Sequence, residues 1–414
     1  MMRKLLVVVL SALAGAGAVA PARANPAEPD IGAVASWNGL ALDAVRLTRA
    51  TDADAARLYA MVNVAIYDAV NGISGTREPA LVAERGPRHA NPQAAAVAAA
   101  HAVLVRADAA RSAGYDAELA AGLTLLHHGV DSGAAWGAHV GTAVFDARTA
   151  DGSSPVESQP AGTGPGVFRT AWSGVQYRNV RPFAIAAPRV PAGPPALDSA
   201  AYTTAFAEVA DLGDAAVPRP DLLATYQFWS LPAGSGQPPG EWLRIALTVA
   251  EARHLRLADE ARLGALITMA LADTSVVTVS TKYAYRHWRP TTAIREADTD
   301  GNPATVADPA WSARAGSVGS SPEYVSGHSS YSGAGATVLA GFFRTDRIAF
   351  THATDSAPGG TARTYPSFSA AAAEVGRSRV YGGLHFDFSN RTGLAIGDGV
   401  GLEVLATSLL PRRH

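Results

Sequence analysis

The chain has 414 residues with 48% apolar content and 17% charge, enough to build one large domain or two ordinary ones and too apolar for a disordered polymer. A formal net charge of −2 excludes a broad basic field for nucleic acid. There is no cysteine, which removes disulfides, thiol nucleophiles and thiolate metal sites.

Residues 1–24 read as a secretory signal peptide. Arg3 and Lys4 precede an apolar run over 5–20, and Ala22-Arg23-Ala24 offers a small-x-small cleavage site. The expected mature protein is exported, periplasmic or extracellular, with no later stretch apolar for long enough to span a bilayer. Helical spacing of Leu58, Met61, Val62, Ala65, Ile66, Ala69 and Val70 predicts a helix over 53–71, stopped by Gly72. An Ala-rich helix follows over 92–107, with Asn91 as N-cap and Pro92 at its first position. Two more fit 115–127 and 134–148.

The 151–197 stretch breaks the pattern, with many Pro and Gly residues and Trp172, Tyr177 and Phe183 between them. Interleaved aromatics suggest a connector packed over a surface rather than a free linker. It is placed at the boundary between an N-terminal helical region, 25–197, and a second helical-bundle region, 198–414. Helices resume over 201–212, 222–229, 242–254, 259–281, 329–343 and 391–409, and strand alternation is scarce. The expected class is mainly α.

Some signals carry little. Asp298-Thr299-Asp300-Gly301-Asn302 resembles the start of a calcium loop, but its Gly falls early and position twelve is Pro309, so a turn held by Asx side chains is the better account. His101, His127, His128 and His139 lack a carboxylate pattern for a metal site. Gly162-Thr163-Gly164-Pro165-Gly166 lacks the strand–helix context of a phosphate loop. No Gly-x-Ser-x-Gly elbow is present.

Three segments in the last third carry chemistry: Lys282 to Arg289-Pro290, Ser326-Gly327-His328, and Arg379 with His385. If helical, Lys282 and Arg289 share one face two turns apart, with Pro290 ending the helix. Ser326-Gly327 opens the next helix, where free N–H groups and a small residue favour an anion. Gly382-Gly383 permits a tight bend before His385. Three cations around one point suit a group with two or three negative charges. His287 has no assigned role.

These motifs resemble the vanadium-dependent haloperoxidases, which share their site with acid phosphatases and type 2 phosphatidic acid phosphatases. The resemblance extends through Thr291-Thr292-Ala293-Ile294-Arg295 and Asp298 to Pro303, and to Ala60 through Asn71, as in the soluble bacterial branch. It implies helical bundles of that type and a vanadate cofactor bonded by His385. Lys282, Arg289, Arg379, the Ser326 hydroxyl and the Gly327 N–H would neutralise the equatorial oxygens, and His328 would serve the apical oxygen as acid/base. The implied activity is halide oxidation by hydrogen peroxide to a hypohalous-acid equivalent that halogenates a small organic acceptor.

The same residues suit an exported phosphatase acting on phosphate monoesters, with His385 as nucleophile and His328 protonating the leaving oxygen. Three positions depart from the related patterns. Val325 stands where a Pro usually precedes Ser-Gly-His, and Val279 where an aromatic often precedes the Lys. Ser389 stands where phosphatases often carry an Asp to orient the His, with Asp387 or Asn390 as the candidate substitutes.

Overall fold

A computed structural model describes residues 28–412, so the signal-peptide reading falls outside the described residues. Thirteen α-helices dominate these residues, and strands are confined to two short antiparallel pairs. The mainly α expectation holds.

The first helices are set by their caps. α1 (Ala33–Thr48) ends on Arg49 in the left-handed conformation. α2 (Asp52–Ser74) starts on Thr51, whose hydroxyl accepts from the Asp54 N–H, with Asp52 and Asp54 in its first turn. Asn91 caps α3 (Pro92–Ala107) by accepting from the Gln93 and Ala94 N–H groups. α4 (Ser112–Thr124) and α5 (Val130–Arg148) follow.

The connector forms β1 (Ser158–Gln159) and β2 (Trp172–Ser173), and it does pack over a surface. Trp172 and Tyr177 are buried, and the Arg148 guanidinium lies 3.8 Å from the centre of the Phe183 ring. Beyond it come α6 (Ala200–Leu212), α7 (Pro220–Phe228), α8 (Gln237–Ala252), α9 (Leu257–Tyr285), α10 (Pro290–Arg295) and α11 (Gly327–Phe343). The hairpin β3 (Phe350–His352) and β4 (Arg363–Tyr365), α12 (Phe368–Tyr381) and α13 (Asp387–Thr407) complete the chain.

α1 and α12 were not among the expected helices. Ser36, Asn38 and Gly39 interrupt α1, and Ser369, Gly376 and Ser378 interrupt α12, so intrinsic propensity is low in both. Burial of Trp37 and Leu42 in α1, and of Phe368 and Val375 in α12, overrides it.

α9 is the spine, packing against α2 on one side and α8, α11 and α13 on the others. The expectation of no span-length apolar stretch needs correction here. α9 is long and apolar enough to cross a membrane, but 89% of that apolar window is buried inside the fold. It is apolar because helices surround it.

Two glycine ladders bring helix pairs unusually close. On α5, a β-carbon at Gly133, Gly137 or Gly141 would stand 2.1–2.4 Å from the carbonyl oxygens of Asn91, Ala95 and Ala99. On α13, a β-carbon at Gly393 or Gly397 would stand 2.7 Å from Ser326 O or 2.0 Å from Ser330 O. The second ladder fixes the height of α11, and with it the start of that helix.

The other expectations about turns hold locally. Asp300 Oδ1 accepts from the Asn302 N–H and Asn302 Oδ1 from the Ala304 N–H, as in Asx turns. His101 and His139 do find carboxylates, Asp116 and Glu84, but only one each. No cluster of three potential metal ligands exists among the described residues.

Candidate oxyanion site

Lys282 and Arg289 do not share a helix face. α9 stops at Tyr285, where Arg286 takes the left-handed conformation at φ 49°, and the chain turns before Arg289 stands as N-cap residue of α10. Pro290 begins a helix instead of ending one, since its missing N–H costs nothing at the first position. The connector braces this turn: Phe168 N–H donates to Arg286 O at 2.7 Å, and Trp288 N–H to Gly166 O at 3.0 Å. His287, with no expected role, is buried between Tyr202, Phe386 and Phe388.

The cationic side chains nevertheless converge. Lys282 Nζ donates to the carbonyls of Pro322 and Glu323. Arg289 donates to Ser321 O and Leu384 O, both at 2.8 Å, and its Nη1 lies 3.0 Å from His385 Nε2. Arg379, in the last turn of α12, donates through Nη1 to Trp229 O at 3.2 Å, while its Nε is buried without a partner. All three cations are at most 6% exposed.

The bend to His385 depends on Gly383, at φ 72°, where a β-carbon would collide with Gly213 O and the Trp311 ring. His385 is then fixed by Glu323: Nδ1 lies 2.9 Å from Glu323 Oε1, which also accepts from the Phe386 N–H at 3.0 Å. With Nδ1–H donating to Glu323, the Nε2 lone pair faces the Arg289 guanidinium.

Neither Asp387 nor Asn390 orients His385, contrary to expectation. Asp387 pairs with Arg377 and Arg391, and Asn390 Oδ1 accepts from Ser329 Oγ. Ser389 Oγ is 3.5 Å from His385 Nδ1. Glu323 was missed by sequence reasoning, although a carboxylate three residues before Ser326 in Glu323-Tyr324-Val325-Ser326 was a signal within reach.

Ser326 is the N-cap of α11, as expected, and its hydroxyl accepts from the Ser329 N–H, with Ser329 Oγ 3.1 Å away. Gly327 follows at the first helical position. His328 Nε2 lies 3.2 Å from Ser230 O, so adjacent carbonyls of one loop, at Trp229 and Ser230, hold Arg379 and His328. Val279 packs beside the connector residues Phe168, Trp172 and Tyr177.

Burial and mutual repulsion shape the electrostatics. Burial, then Arg289, pushes Lys282 well below the usual lysine range, while Glu323 and Asp52 oppose the shift. Burial lowers Arg289 and Arg379 to about 10, so both stay charged at neutral pH. His385 is pushed well down by burial and then by Arg289, Lys282 and Arg379; His328 is pushed down by burial and Arg379. Both imidazoles are neutral. Burial raises Glu323, opposed by Arg289 and Lys282. The result is a buried group of N–H and O–H donors around one imidazole, an arrangement suited to a tetrahedral oxyanion.

Residues 262–410 match the family described as the VCPO second helical-bundle domain. No curated protein sequence matches the chain. Among solved structures, a bacterial vanadium-dependent iodoperoxidase superposes with a TM-score of 0.78 at 22% identity, covering 92% of this chain and 98% of that one. A bacterial vanadium-dependent chloroperoxidase in its holo form gives 0.65 at 18% identity, covering 86% and 92%; its apo form gives 0.64 at 17%, covering 85% and 92%.

Proposed function

We propose, for a chain whose residues 262–410 match the VCPO second helical-bundle family and whose fold is that of the bacterial vanadium haloperoxidases, that it is a vanadate-dependent haloperoxidase. The observation that carries this reading is His385, with Nδ1 bound to Glu323 and Nε2 aimed among three buried cations. An imidazole in that state is a metal ligand with its outer partner in place. The remaining donors fit an oxyanion too: Arg379 Nε is buried without a partner, and Gly327 puts no β-carbon in the way.

Vanadate, when bound, supplies Lewis-acid activation of hydrogen peroxide toward a halide. The protein's part is to hold the group and manage protons. His385 Nε2 offers the bond, and Glu323 keeps its tautomer. Lys282, Arg289 and Arg379, with the Ser326 hydroxyl and Gly327 N–H, offset charge on the oxygens. His328, neutral and held by Ser230 O, would take up or return a proton. Substrates are then hydrogen peroxide, a halide and a small organic acceptor. The leader over residues 1–24 supports export, to periplasm or exterior, as part of the same proposal.

A phosphatase reading keeps one observation in its favour: Glu323 supplies the orienting carboxylate that Ser389 cannot. His385 Nε2 would then attack phosphorus in line. The two separate in one assay set on purified protein, comparing halogenation of a phenol dye by peroxide, with and without vanadate, against hydrolysis of p-nitrophenyl phosphate. Vanadate-dependent halogenation with bromide or iodide is expected. Phosphatase turnover that vanadate inhibits, without halogenation, selects the second reading. His385→Ala is expected to abolish vanadate retention. His328→Ala is expected to retain vanadate and lose about 100-fold or more in turnover; normal binding and turnover in both variants would place the site elsewhere.

A further inference from the structure

The wall of the pocket beside Gly327 is not made of donors. Asp52 opens α2, remote in sequence from all three motifs, and is only half-buried although it reaches the core. A β-carbon on Gly327 would stand 3.5 Å from Asp52 Oδ2 and 4.0 Å from Thr278 and the Tyr331 ring. Asp52 Oδ1 accepts from the Ala53 N–H at 2.9 Å; burial pushes its carboxyl up, and the Lys282 charge opposes that shift. A carboxylate in the first turn of a helix is favoured by the helix dipole, but that does not require it to lie against the Gly327 face of another helix.

We propose that Asp52 is a specificity-determining residue of the oxyanion pocket, accepting through Oδ2 a hydrogen bond from a hydroxyl that the bound oxyanion still carries. The inference rests on the oxyanion reading of the site above. An ionised carboxylate can only accept. Beside an oxyanion with no proton it repels; beside an X–OH oxygen it gains a charge-assisted hydrogen bond. Vanadate and phosphate keep a hydroxyl at neutral pH, whereas sulfate, of the same shape, does not. With Glu323, Asp52 sets two carboxylates against the three cations, which further favours an oxyanion that retains protons. Discrimination of this kind, by setting an acceptor against a ligand that has no proton to offer, exceeds what cavity size alone gives.

The test is calorimetric titration of the full chain with orthovanadate, inorganic phosphate and sulfate at pH 7, for the parent and for Asp52→Asn. The parent is expected to bind vanadate and phosphate and to bind sulfate at least 30-fold more weakly than phosphate. Asp52→Asn, whose amide can donate, is expected to tighten sulfate at least tenfold, a gain that misfolding cannot produce. Unchanged sulfate affinity in the variant, or a parent that binds sulfate as tightly as phosphate, overturns the proposal. A chain that binds none of the three overturns the oxyanion reading along with it. Discrimination without halogenation overturns the haloperoxidase reading alone.

Discussion

Glu323 and Ser389 exchange the roles their positions in sequence suggest. The helical neighbour of His385 approaches Nδ1 only to 3.5 Å, while a carboxylate from the loop before α11 reaches it at 2.9 Å. Glu323→Gln keeps an acceptor but loses the charge, and is expected to weaken vanadate affinity about 10–100-fold in an equilibrium titration. Glu323→Ala should lose more, because the Phe386 N–H also loses its acceptor. A Gln variant that binds as tightly as the parent would show that the charge plays no part. The residues that the fold gathers here, Lys282, Arg289, Ser326, Gly327, His328, Arg379 and His385, could be named from sequence because each lies in a short local motif. Glu323 and Asp52 were not, since an acid beside a motif looks the same whether it faces solvent or the site.

His287 shows the opposite case, a histidine amid the motifs whose work is packing. Burial holds it near pKa 3, against about 6.5 in an unfolded chain, and its Nε2 has no partner. Between those values the unfolded chain binds the extra proton, so stability rises with pH and is lost as pH falls from about 6.5 toward 3, by about 1.4 kcal/mol per unit. Urea midpoints at pH 7 and pH 4.5 should therefore differ, and His287→Phe should reduce the difference. Part will remain, because buried neutral His328 and His385 act with the same sign. A variant with the parent's full pH slope would exclude His287 as a source.

At the scale of elements, the close approach of α11 and α13 sets the pocket's floor. Gly397→Ala puts a methyl 2.0 Å from Ser330 O, which only main-chain movement relieves. The expected cost is about 1–3 kcal/mol in denaturant unfolding, with weaker oxyanion binding as the start of α11 shifts. A neutral substitution would mean that the ladder tolerates slack. Most helix interiors were readable from sequence, α1 and α12 excepted, and Asn91 with Pro92 marked the start of α3. The end of α9 was not. Lys282 and Arg289 fit two helical turns equally well on paper, and only the left-handed Arg286, braced by Phe168 and Gly166, decides against it.

For the whole molecule, the connector is a structural element. Asp273, buried in the middle of α9, accepts from the N–H groups of Phe183, Ala184 and Ile185 at 2.6–2.9 Å. That carboxylate anchors an irregular strand that could not otherwise satisfy its backbone. Asp273→Ala should free it, speeding tryptic cleavage at the exposed Arg189 at least tenfold, as followed by mass spectrometry. Unchanged cleavage would show that aromatic packing alone suffices. The sequence signalled this packing through Trp172, Tyr177 and Phe183; the anchor was invisible because an Asp in an apolar helix gives no hint of its partner.

The cationic donors of the pocket already have main-chain carbonyls: Pro322 and Glu323 for Lys282, Ser321 and Leu384 for Arg289, Trp229 for Arg379. His328 likewise leans on Ser230. An incoming oxyanion therefore meets donors partly in use, and loading combines hydrogen-bond exchange with capture by free donors such as Arg379 Nε. Such exchange loosens what it displaces. The 229–231 loop, released from Arg379 and His328, should lose amide-exchange protection when the pocket fills, while the helices that bear the cations gain it.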